Sequence, residues 1–110
     1  MKKLVLTFVL SILIQGTAFA GHKYVITNHL GRDVCEFYIS AHNETDWGDD
    51  MLANLNECLH HGNTTTYVGE PSSAPSHDVR VVFRDGSDFT FTLNQPCLEG
   101  GTTNFNLSDH

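Results

Sequence analysis

The run H-D-V-R-V-V-F-R-D-G-S-D-F-T-F-T-L-N occupies residues 77–94 and decides the fold class. Val79, Val81 and Phe83 alternate with polar or charged neighbours, broken only by Val82. Phe89, Phe91 and Leu93 repeat the pattern on the far side of Asp85-Gly86-Ser87. A period of two puts each apolar set on one face of a strand. Gly86 supplies the positive φ that a tight hairpin turn needs. The stretch therefore predicts two antiparallel strands with one continuous apolar face.

The same signal recurs on both sides of the hairpin. Residues 23–28, K-Y-V-I-T-N, read as a strand of β-branched and aromatic residues, followed by a turn at Gly31. Residues 34–41, V-C-E-F-Y-I-S-A, read as the next strand, with Cys35, Phe37 and Ile39 toward the core and Val34, Glu36 and Tyr38 away from it. Residues 64–68 and 103–107 complete the set. Pro96 and Gly100-Gly101 punctuate the last connection, and the Pro/Ser-rich 69–76 segment is a loop. Only residues 47–53 carry a helical hint. Asp46 stands as N-cap, and Trp47, Met51 and Leu55 are spaced four apart on one stripe, though Gly48 weakens it. The expectation is an all-β fold: a small antiparallel β-sandwich or partly open barrel of about six strands with at most one short helical turn.

The N-terminus reads differently. Lys2 and Lys3 precede an apolar run through Ile14, and Ala18-Phe19-Ala20 has the small-x-small pattern of a cleavage site. The run is about ten residues, against roughly 20 for a bilayer span. Residues 1–20 are expected to be a signal peptide and residues 21–110 a single exported β-rich domain, periplasmic or extracellular in a bacterium. No membrane span is expected after cleavage. Removing residues 1–20 takes two of six Lys+Arg, so four remain against 13 acids, a formal charge of −9. Nucleic acid is excluded as a partner because no basic footprint remains. A basic protein is the electrostatically matched partner.

All three cysteines, Cys35, Cys58 and Cys97, lie in the exported part, where disulfides persist. Three single pairings are open. The Cys35 to Cys97 bridge is favoured because it closes the longest loop and ties a central strand to the C-terminal region, worth about 3–4 kcal/mol by loop entropy.

Taken together, V-C-E-F-Y-I-S at 34–40, D-W-G-D-D with Leu52, D-V-R-V-V-F at 78–83 and Asp85-Gly86 resemble a family of small secreted bacterial β-domains. Its pattern is a C-x-[LF]-Y-[IV]-S strand, a W-G-x-D-x-L loop, a D-[IVL]-R-x-V hairpin strand and a late Cys. The ordered match runs from about Thr27 to Asn106. The resemblance implies an exported β-domain with the early and late Cys at Cys35 and Cys97. It supplies no catalytic residues, since the family is functionally uncharacterised. The His-rich segment after Cys58 departs from it.

Several candidates for chemistry follow. Glu44, Asp46, Trp47, Asp49 and Asp50 place four acids beside the only Trp on one loop, the candidate partner-binding site and a conceivable Ca²⁺ cradle. Cys58, His60 and His61 are thiolate and imidazole donors suited to Zn²⁺ or copper, although adjacent histidines on extended chain point apart. A chain beginning Gly21-His22 offers amine, amide and imidazole nitrogens to Cu²⁺. Ser40, Ser72, Ser73 and Ser76 lack a nucleophile-elbow context. The expectation is therefore no enzyme and no required cofactor. The leading reading is an exported binding module with an acidic surface that recognises or neutralises a basic protein; metal binding and an envelope-structural role are the alternatives.

Overall fold

The computed structural model describes residues 21–108; the expected signal segment, residues 1–20, lies outside the described residues. The fold is all-β. Six strands, β1 (His22–His29), β2 (Val34–Ala41), β3 (Thr64–Gly69), β4 (His77–Phe83), β5 (Asp88–Leu93) and β6 (Thr102–Ser108), form two three-stranded sheets. One sheet has the order β3-β1-β6 and the other β2-β4-β5. They make a small β-sandwich. The β4–β5 hairpin turns at Gly86 with φ of 88°, as its sequence requires.

The core lies between the sheets. Tyr24 and Ile26 of β1 and Phe105 and Leu107 of β6 face Phe37 of β2 and Val79 and Val81 of β4. Phe37 and Phe105 meet edge to face across the gap, with ring centroids 5.0 Å apart. Burying a residue such as Phe37 contributes about 1.5–3 kcal/mol. Buried Asn28 organises the adjoining loops: its Nδ2 donates to the carbonyls of Arg32 and Leu59, and its Oδ1 accepts from Leu30 N–H. Each polar atom of that side chain is thereby satisfied, which burial demands.

Three expectations need correction. The strands are not all antiparallel, because β1 and β6 pair in parallel, with Ile26 opposite Phe105. Residues 47–53 form no helix, which lies within the expected limit of one short helical turn. Gly48 takes φ of 77°, outside helical space, and the segment closes only i to i−3 bonds at Ala53 and Leu55. The faces of β2 are also shifted. A bulge between Val34 and Glu36 makes Cys35 an extra residue, so Val34 is fully buried and Cys35 only partly.

The third correction is the disulfide, which joins Cys35 to Cys58 and not to Cys97. Its cause is local. Val34 and Leu59 exchange both backbone hydrogen bonds, at 3.0 and 2.7 Å. The next pair along, Cys35 and Cys58, is then a non-hydrogen-bonded pair, where opposing chains approach closest. Their Cα atoms are 4.3 Å apart. Cys97 is held elsewhere. It exchanges two backbone bonds with Ser72, and its thiol is buried, with burial pushing its pKa up. The bridge is the kind that persists in an oxidising compartment.

Candidate functional site

The loop after β2 folds back along that strand. Asp50 directs it: its Oδ1 accepts from Phe37 N–H at 3.0 Å and from Leu52 N–H at 2.9 Å. Met51 N–H then donates to Phe37 carbonyl, so the loop covers the β2 edge. Asp46 closes a smaller turn by accepting from Gly48 N–H. These two acids act on the backbone, as short acidic side chains do in turns.

That path brings Trp47 and Asp49 to the mouth of the sandwich. There they line a cavity of about 300 Å³ together with Tyr24, Ile39, Met51, Tyr67, Glu70, Ser72 and His77. A shallow groove continues from it past Val68 and Gly69, sharing Asp49, Tyr67, Glu70 and Pro71. Trp47 also contacts Tyr38, with centroids 6.3 Å apart. Tyr24 O–H donates to the Glu70 carbonyl at 2.8 Å and fixes that corner. Burial is the leading cause that holds the Tyr24 phenol protonated, far above its ordinary range.

The electrostatics follow from where the cations are. Arg32 pairs with Asp85, Arg80 with Asp88 and Arg84 with Asp33. These are all the arginines in the chain. His42 takes Asp78, and His60 sits between Asp33 and Glu57. Among the described residues, no hydrogen bond or ion pair engages the carboxylates of Asp49 and Glu70. Two aromatic rings and two unpaired carboxylates at one cleft can hold a cation by ring-face attraction and by charge.

Of the five residues expected at a partner site, Trp47 and Asp49 line the cleft. Glu44 and Asp46 are exposed on the same loop outside its lining, and Asp50 turns in to shape the backbone. Tyr67 and Glu70 were not foreseen. They arrive through the pairing of β1 with β3, which no local pattern announces; only the Glu70-Pro71 strand end was visible.

The metal candidates separate. Cys58 is in the disulfide, so it offers no thiolate. His60 Nδ1 bonds Asp33 at 2.8 Å, while His61 Nδ1 accepts from Gly31 N–H at 2.9 Å. His22 is buried, with Nδ1 on the Leu98 carbonyl and Nε2 on Thr103 Oγ1, so its ring is withdrawn from any N-terminal chelate. Among the described residues, no group of three or more His, Cys, Asp or Glu is placed to hold a metal ion.

One further pair lies at the cleft wall. Ser72 Oγ and His77 Nε2 are 2.8 Å apart, and His77 Nδ1 meets the Gln95 carbonyl at 3.0 Å. The arrangement resembles a nucleophile with its base. His22 makes the same two contacts with Thr103 and Leu98 inside the core. Both histidines thus tie the connection between β5 and β6 to the sheets, and a packing role accounts for both.

No family model, no curated protein and no solved structure matches the chain.

Proposed function

We propose that the chain is an exported, non-enzymatic binding module of the small secreted bacterial β-domain kind its ordered motifs resemble. It acts in the periplasm or outside the cell. Its cleft takes a cationic group of a basic protein partner. The observation that carries this reading is the pair Asp49 and Glu70, left without a cation beside Trp47 and Tyr67 while every arginine is engaged elsewhere. The net acidity of the chain adds long-range attraction for such a partner.

The test is capture from the exported fraction of the source organism on the immobilised 21–110 domain, compared with an Asp49→Asn/Glu70→Gln variant. A basic protein retained by the native domain and lost from the variant is the expected result. Its affinity should fall at least about tenfold for the variant and decline with added salt. Capture of an acidic or neutral protein, or equal capture by the variant, would defeat the proposal. Turnover of an ester or peptide panel that disappears in Ser72→Ala would defeat the non-enzymatic part.

A further inference from the structure

The sandwich is closed on one side and open on the other. The β2 edge is covered by Asp50, Met51 and Leu59. At the opposite edge of the same sheet, among the described residues, β5 has no neighbour beyond β4. Its inward residues continue an aromatic row: Phe83 and Phe89 are 5.7 Å apart and Phe89 and Phe91 6.1 Å. The Arg32 guanidinium lies 3.8 Å from the Phe83 centroid and caps the hairpin end. The other end is uncapped. Phe91 sits opposite fully buried Val79 yet is itself 37% exposed. By contrast, the inward residues Thr103, Phe105 and Leu107 of β6 are all buried.

We propose that two copies of the chain pair through the β5 edge, antiparallel and centred on Phe91, joining two three-stranded sheets into one of six strands. A free, flat, apolar edge strand is a template for another strand. The sequence of β5 suits its own copy. Centred on Phe91, the register sets Phe91 against Phe91, Phe89 against Leu93 and Thr90 against Thr92, with Asp88 opposite Asn94. Aromatic and threonine cross-strand pairs of this kind stabilise sheets. Charge selects the same occupant. No residue from Phe89 to Leu98 is charged, and Asp88 is already paired with Arg80. Two exported domains, each of formal charge −9, can therefore approach here without setting like charges face to face. Six residues of edge make a small contact, below the roughly 800 Å² per partner of a standard interface, so the dimer is weak and concentration-dependent.

Sedimentation equilibrium from micromolar to about millimolar protein tests this. The native domain should show its mass doubling across the range. Thr90→Lys/Thr92→Lys sets Lys against Lys twice in the proposed register and should weaken association at least about tenfold. Thr90→Glu/Thr92→Glu should do the same. An equimolar mixture of the two variants should restore the doubled mass, since each Lys then faces a Glu. These substitutions are at exposed positions, and unchanged far-UV dichroism checks that both variants fold. A native domain that stays monomeric overturns the proposal. So does a dimer indifferent to the Lys pair, or a mixture that remains monomeric.

Discussion

Asp50 holds together more than its half-exposed position suggests. One oxygen accepts from a strand and from the loop that covers it. Removing it leaves Phe37 N–H without its partner beside the core. Asp50→Ala should cost about 1–3 kcal/mol in urea unfolding, and Asp50→Asn, which keeps the accepting oxygen, should recover most of that. His60 gives a second prediction at this scale. Its hydrogen bond to Asp33 is the main cause raising its pKa above the ordinary 6.5, and the same bond, then Arg84, holds Asp33 below 3.8. The raised His60 contributes stability that is complete below its unfolded pKa and lost as pH rises through the folded one. The lowered Asp33 contributes above its unfolded pKa and loses that as pH falls. The pair is therefore most favourable from about pH 4 to about pH 6.5. Melting temperature should decline just above that window, and His60→Ala should flatten the decline.

At the scale of elements, the bridge between Cys35 and Cys58 closes a loop with a sequence separation of 23. Replacing both by Ala should cost about 3 kcal/mol, whereas Cys97→Ala should cost about 1 kcal/mol or less, as a small buried group with no crosslink. Equal costs measured by denaturant midpoint would contradict the observed pairing. The six strands were legible because a half-buried strand writes its period of two into the chain. The faces of β2 were not, because the extra residue at Cys35 leaves no mark in composition. The wrong disulfide follows from that one miss: without the bulge and the Val34–Leu59 bridge, nothing sets Cys58 opposite Cys35. Likewise, the Trp47, Met51 and Leu55 spacing mimics a helix that the backbone at Gly48 refuses. The cleft was half legible for a related reason. Trp47 and Asp49 share a loop, whereas Tyr67 and Glu70 reach them only through β1.

Across the whole molecule, the two proposed contacts respond oppositely to salt. A basic partner is drawn to Asp49 and Glu70 by unlike charge, so screening weakens it. Two copies of an acidic chain repel everywhere except along the neutral β5 edge, so screening favours them. Raising NaCl from about 50 mM to about 500 mM should loosen the first complex and tighten the second. Both associations titrated on one sample would separate them.

The parallel pairing of β1 with β6 has a consequence in time. Strand β1 is the middle of its sheet, flanked by β3 and by the last strand of the described chain. A chain delivered N-terminus first can complete the β2-β4-β5 sheet as soon as Leu93 emerges. The other sheet must wait for Thr102–Ser108. Until then the β1 backbone edge that pairs with β6 stands bare, and Tyr24 lacks its Phe105 neighbour. So high a contact order predicts slow closure, on the order of milliseconds to seconds, and a late, all-or-none commitment to the folded state.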